Sequence, residues 1–151
     1  MMILVATSTK ADTFSLSYGL TTNHFNNSSY NYNEDNDLHV FEYKYDASNW
    51  GIVLLKFNNS FHNDTSAIGA TYDLWSNRYV TIDITAGLIQ GYTSENIGSI
   101  LCPLGDTSNI CWYMSPRAHG YLYRSNDVSI KVSIAVFGTS IVTSIGIEVP
   151  I

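Results

Sequence analysis

The stretch that decides the fold runs Tyr79-Val80-Thr81-Ile82-Asp83-Ile84-Thr85-Ala86-Gly87-Leu88-Ile89-Gln90-Gly91-Tyr92. Val80, Ile82, Ile84, Ala86 and Leu88 share one face of an extended chain, and Thr81, Asp83, Thr85 and Gly87 share the other. Side chains of a strand point alternately to its two faces, so a period of two predicts a strand, where a helix would show a period of 3.6. One face is apolar throughout. The other is small and polar, with a carboxylate at its middle.

The same alternation recurs outward from this segment in both directions. Phe14, Leu16, Tyr18 and Leu20 share a face of residues 13–20. Residues 38–45 set His39, Phe41, Tyr43 and Tyr45 against Val40, Glu42 and Lys44. Residues 50–59 set Val53, Leu55 and Phe57 against Ile52, Leu54 and Lys56, and residues 66–75 align Ile68, Ala70, Tyr72 and Leu74. Residues 111–123 set Trp112, Met114, Pro116, Ala118 and Leu122 against Tyr113, Ser115, Arg117, His119 and Tyr121. Val128, Ile130, Val132, Ile134 and Val136 alternate with Ser129, Lys131, Ser133 and Ala135; Ile141, Ile145, Ile147 and Val149 oppose Ser144, Gly146 and Glu148. Eight strands are predicted, and the class is all-β.

The connections alternate as well. Polar segments near 25–36, 60–66 and 93–110 are long, whereas 46–49, 76–78 and 125–127 are short turns. Gly138-Thr139 is a two-residue turn on the otherwise long-loop end. Short turns at one rim and long loops at the other are the pattern of an up-and-down antiparallel outer-membrane barrel.

Composition agrees. The 151 residues fit one domain, and 13% are charged against about 25% in an average soluble domain. Helix formers are scarce and no apolar run reaches the length of a transmembrane helix, which excludes a helical bundle. The net charge is −6, and the seven Lys and Arg residues lie singly along the chain, so no nucleic-acid footprint exists in the sequence.

Which face meets water and which meets lipid follows from charge. Glu42, Lys44, Asp83, Arg117, His119, Lys131 and Glu148 occupy the polar faces, and both signs are present, as a paired lumen network requires. The opposite faces are aliphatic. Tyr45, Trp50, Trp75, Tyr79, Tyr92 and Trp112 cluster near strand ends, as interfacial girdles do. The expectation is a monomeric transmembrane β-barrel with lipid outside; a soluble lipocalin-like barrel holding a small apolar ligand is the alternative.

Residues 1–11 read as a signal-peptide stub: Met2-Ile3-Leu4-Val5-Ala6 is apolar, and Thr9 and Ala11 stand at −3 and −1 for a cut before Asp12. The barrel domain then spans 12–151, and a frayed N-terminus is the plainer alternative. Cys102 and Cys111 bracket a turn-rich loop and either form a disulfide in an oxidising compartment or remain free thiols. No Cys/His spacing suits zinc, so neither metal nor cofactor is expected.

Tyr32-Asn33-Glu34, Lys56-Phe57-Asn58-Asn59-Ser60-Phe61, Ala67-Ile68-Gly69-Ala70-Thr71-Tyr72 and Thr85-Ala86-Gly87-Leu88-Ile89-Gln90-Gly91-Tyr92 fall in an order and spacing that resembles the PagP-type lipid A palmitoyltransferases. Small phage-encoded outer-membrane barrels are similar too. The resemblance spans about residues 20–149 and implies an eight-stranded bacterial outer-membrane barrel, reached through the periplasm, that moves a palmitoyl chain from phospholipid to the lipid A of lipopolysaccharide. It implies catalytic residues at the extracellular rim: His24 at the end of the first strand, then Asn59, where the family has Asp, and Ser60 after the third. Pro116 is the only strand proline, whereas the family uses several to open lateral gaps for lipid. A non-catalytic barrel of the same fold, such as a phage protein altering its host's surface, stands as the alternative.

Overall fold

The computed structural model describes residues 11–25, 32–45, 48–93, 95, 102 and 109–151. The signal-peptide stub and most of the loop between the cysteines lie outside the described residues.

Eight strands form: β1 (Thr13–His24), β2 (His39–Lys44), β3 (Trp50–Asn58), β4 (Asp64–Ser76), β5 (Val80–Gln90), β6 (Ile110–Arg124), β7 (Ser129–Phe137) and β8 (Ser140–Pro150). Each pairs antiparallel with its sequence neighbours, and β1 pairs with β8 from Thr13↔Pro150 to His24↔Ser140, so the sheet closes with no free edge strand. Pro150 ends β8, so Pro116 is not the only strand proline; a proline is tolerated at a strand's last residue, where the ladder stops. Both ends of the described barrel and the three short turns lie at one rim; the other four connections lie at the opposite rim. Gly138, with φ +58, opens the two-residue β7–β8 turn between the paired Phe137 and Ser140, a place where the primed hairpin turns ask for glycine.

The alternation sets inside and outside as expected. Thr81, Asp83, Thr85 and Ile89 of β5 are buried, while Ile82, Ala86 and Leu88 face outward. On β8, Ser144, Gly146 and Glu148 point inward and Ile145 and Ile147 outward. Large apolar side chains cover the outer wall on every strand, far more than the surface of a soluble monomer tolerates. The interior is instead polar, with buried Ser, Thr and charged groups, and this excludes the lipocalin-like alternative, whose apolar side chains would fill the inside.

The lumen charges pair. Arg117 donates to both carboxylate oxygens of Asp83 at 2.7 and 2.9 Å, to Glu42 at 2.9 Å and to the hydroxyl of Thr71 at 2.9 Å. Lys44 binds Asp73 at 2.5 Å, and Lys131 binds Glu148 at 3.2 Å and Ser15 at 3.1 Å. His119 bonds Asp83 at 2.8 Å and Ser133 at 2.6 Å. Each buried charge thus has an opposite partner, the condition on which a charge leaves water at tolerable cost.

Close packing of the wall depends on glycine at one spot. Gly69, Gly87 and Tyr113 lie side by side across β4, β5 and β6. A Cβ on Gly87 would sit 2.1 Å from the carbonyl oxygen of Ile68, and one on Gly69 would sit 2.4 Å from the Tyr113 hydroxyl. The bare backbone lets the Tyr113 ring fold over the inner face of the sheet.

One girdle assignment changes. Tyr45, Trp50, Trp75, Tyr79 and Trp112 are exposed on the outer wall, but Tyr92 is buried. The cause is Gly91, whose φ of +113 turns the chain off the end of β5, so the alternation loses its phase one residue before Tyr92. Tyr92 packs inside the mouth with Phe57, Tyr113 and the Cys102–Cys111 disulfide.

Candidate functional site

β1 and β3 both run toward the long-loop rim, so their ends come together there. His24, the last residue of β1, and Ser60, just past β3, share a hydrogen bond between Nε2 and Oγ at 2.7 Å. Tyr32 stacks on the His24 ring at 4.4 Å and 11° between planes, and Phe61 meets Tyr32 edge-on at 6.0 Å. The imidazole is therefore held flat against an aromatic face, with Nε2 aimed at the serine. Nδ1 of His24 is buried and has no hydrogen-bond partner among the described residues.

Asn59 lies beside this pair in sequence and does not join it. Its side-chain oxygen accepts from the backbone N–H groups of Phe61 at 2.8 Å and Asn63 at 3.1 Å, a local turn that an Asx side chain makes readily. Its amide nitrogen donates to the carbonyl of Gly91 at 2.8 Å. Asn59 is fully buried and sets the loop that presents Ser60. The Ser60 carbonyl also accepts from Asn33 N–H at 3.1 Å, which ties the β1–β2 connection to the same point. His62, with φ +62, donates its N–H to the Asn59 carbonyl and serves the turn.

Ser60 stands where two cavities meet. One, of about 600 Å³, takes in His24, Tyr32 and Phe61 in the mouth and Trp112, Met114 and Gly138 on the wall. The second, of about 90 Å³, runs down the lumen past Leu38, Val40, Leu55, Phe57, Ala135 and Val142 to the charged network. Tyr92, Tyr113, Phe137 and Ser140 also line both. Burial pushes the Tyr92 phenol above its ordinary pKa, so it stays protonated. The orphan hydroxyls of Thr85 and Tyr113 open onto the lumen cavity.

The first cavity reaches the outer wall because the β6–β7 seam stops early. Their ladder runs from Arg124↔Ser129 up to Arg117↔Ala135. Continuing the register would set Val136 opposite Pro116, which has no N–H to give. The Ser115 hydroxyl takes the Val136 carbonyl at 2.8 Å instead. Above that point the β7–β8 hairpin ends while β6 continues to Ile110, which leaves a notch in the wall among the described residues.

Sequence reasoning named His24, Asn59 and Ser60; it did not foresee the clamp of Tyr32 on His24, or Tyr92 and Phe137 as walls. The Tyr32-Asn33-Glu34 segment carried a signal only as part of a motif order.

No protein-family profile and no curated protein sequence matches the chain. Solved structures match it in shape. The fold is that of the eight-stranded outer-membrane β-barrels. The outer membrane protein Ail of Yersinia pestis, in a phospholipid bilayer nanodisc, has a TM-score of 0.51 at 14% identity over 92% of this chain and 99% of its own. The de novo designed protein TMB2.3 has a TM-score of 0.52 at 9% identity over 97% of this chain and 98% of its own. At these identities the likeness is one of fold, and it supports the outer-membrane barrel class without singling out the PagP type within it.

Proposed function

We propose that the chain is a bacterial outer-membrane barrel that transfers an acyl chain from a phospholipid to lipid A at a His24–Ser60 dyad. The observation that carries this is the 2.7 Å bond between the two side chains at the junction of a wall notch and the apolar mouth of the lumen. A hydroxyl bonded to an imidazole is the minimal arrangement for acyl transfer. Ser60 donates to Nε2 in the required tautomer. Its oxygen attacks the donor's ester carbonyl and the proton passes to Nε2. The ester C–O bond breaks, and His24 returns the proton to the departing lysophospholipid oxygen. An acceptor hydroxyl of lipid A then attacks the acyl-serine carbonyl and gives its proton to Nε2; the Ser60 Oγ–acyl bond breaks, and His24 returns the proton to Oγ. The notch beside Pro116 offers the chain a sideways way in, as the prolines do in the family this chain resembles.

The test is the mass of lipid A from cells carrying wild type, His24→Ala or Ser60→Ala, with heat-modifiable gel mobility confirming folding. A palmitoyl increment with wild type, lost in both variants, supports the proposal. Unaltered lipid A with folded wild type refutes it. One observation favours a second reading, a non-catalytic barrel: among the described residues no carboxylate orients His24, because Nδ1 has no partner there and Asn59 is spent on its own loop.

A further inference from the structure

The basic residues are single in the sequence, but the fold gathers two of them. Lys44, Arg117 and Lys131 are used in the lumen, and Lys56 faces out alone on β3. Arg78, in the β4–β5 turn, and Arg124, the last residue of β6, meet at one corner of the short-turn rim. Tyr121 N–H donates to the Tyr79 carbonyl at 2.9 Å, which sets the two tyrosines side by side. The Arg78 guanidinium lies 4.3 Å over the Tyr79 ring, with one terminal nitrogen donating to the Tyr79 hydroxyl and the other nitrogens left toward solvent, and that of Arg124 lies 4.2 Å over the Tyr121 ring. Arg124 also donates to the Asn77 carbonyl at 3.2 Å, beside Arg78. Both arginines are exposed, and among the described residues neither has a carboxylate within ion-pair distance, Asp127 of the next turn included.

We propose that Arg78 and Arg124 form a site for the phosphodiester of an anionic phospholipid headgroup. A guanidinium is a planar fork that matches phosphate, and stacking on a tyrosine fixes its plane before the ligand arrives. Among the described residues no carboxylate competes for either fork. Exposed Trp75, Tyr79 and Tyr123 mark this rim as the headgroup level, and Leu122 beside them faces the acyl chains. A lipid is therefore the source of the phosphate, since only a lipid also covers that apolar surround. The proposal needs the barrel to span a bilayer and is independent of the His24–Ser60 chemistry; on the outer-membrane reading above, this rim faces the periplasmic leaflet.

The test uses the full chain in nanodiscs with Trp50→Phe and Trp112→Phe, which leaves Trp75 as its sole tryptophan. Quenching by brominated phosphatidylglycerol is compared with quenching by brominated phosphatidylcholine at equal mole fraction. A basic residue at an anionic membrane surface corresponds to about a fivefold enrichment. The expected result is stronger quenching by the glycerol lipid, abolished in Arg78→Ala/Arg124→Ala and reduced in Arg78→Lys/Arg124→Lys, which keeps charge and loses the stacked fork. Gel mobility confirms that each variant is folded. Equal quenching in the presence of both arginines, or a preference that survives the double alanine change, overturns the proposal. So does loss of the preference on adding millimolar glycerol 3-phosphate, which assigns the site to a soluble phosphate.

Discussion

Replacing Arg117 with Ala removes the hub of the lumen. Four hydrogen bonds disappear: two to Asp83, one to Glu42 and one to Thr71. The network falls from three cations against four carboxylates to two against four, with Asp83 and Glu42 still buried. Breaking a buried pair from one side costs about 3–5 kcal/mol, because the partner is left charged without compensation. Here Lys44 stands 3.6 Å from Asp83 and 3.7 Å from Glu42, and Lys131 stands 3.7 Å from Glu42, so the expected loss is at the lower end, about 3 kcal/mol. The assay is urea unfolding in phospholipid vesicles, followed by tryptophan fluorescence. A companion variant separates lost packing from stranded charge. Arg117→Met with Glu42→Leu and Asp83→Asn leaves Lys44–Asp73 and Lys131–Glu148 as balanced pairs and keeps an acceptor for His119. It is expected to recover at least half of the loss. A loss below about 1 kcal/mol in Arg117→Ala, as for a solvent-screened pair, or a triple variant no more stable than the single one, refutes the view of the lumen as a buried, paired network.

Ile82→Arg places a charge on the lipid face of the clearest strand and is expected to cost about 2–4 kcal/mol in the same unfolding assay, with no change refuting the lipid-facing assignment. Gly87→Ala drives a Cβ into the Ile68 carbonyl, so β4 and β5 must part; a loss of about 3 kcal/mol or failure to fold is expected by heat-modifiable mobility, and a wild-type midpoint counts against the close approach. Asn59→Asp turns a carboxylate oxygen on the Gly91 carbonyl in place of an N–H, and a loss of about 1–3 kcal/mol with faster hydrogen exchange over residues 59–63 is expected. Faster acyl transfer with unchanged exchange would mean that the carboxylate reaches His24 instead.

The strands and their two faces were legible because a period of two is a property of the chain itself. The phase shifts were not. Bulges fall between Gly19 and Thr21, Asp73 and Trp75, and Tyr121 and Tyr123. After the second, Leu74 and Trp75 are both exposed; after the third, Leu122 and Tyr123 are. A local pattern cannot register a residue that its partner strand fails to match. The lumen network was legible for a different reason. Seven ionisable residues on faces opposite aliphatic ones have nowhere to go but inward once lipid is outside, and both signs then have to meet. The disulfide belongs with these, since Cys102 and Cys111 are bonded at the foot of the loop they bracket.

The site was legible only as a meeting place. Antiparallel order carries the ends of β1 and β3 to the same rim whatever their side chains, so His24 and Ser60 were bound to be near neighbours. What each side chain does there is decided by groups remote in sequence. Asn59 occupies the position of an acid in the resembling family, yet its amide nitrogen is needed by the Gly91 carbonyl just past β5, where an acid would be repelled. The amide therefore fits the loop, and the imidazole loses the carboxylate that would hold its charge. In a full Ser-His-Asp arrangement that carboxylate steadies the imidazolium. With Nδ1 unpartnered among the described residues and the ring clamped by Tyr32, the dyad has position without that charge support. Any acyl transfer it performs then draws on geometry and on the apolar mouth of the lumen, so on the proposed mechanism removing the Tyr32 ring should lower the palmitoyl increment on lipid A as surely as removing Ser60.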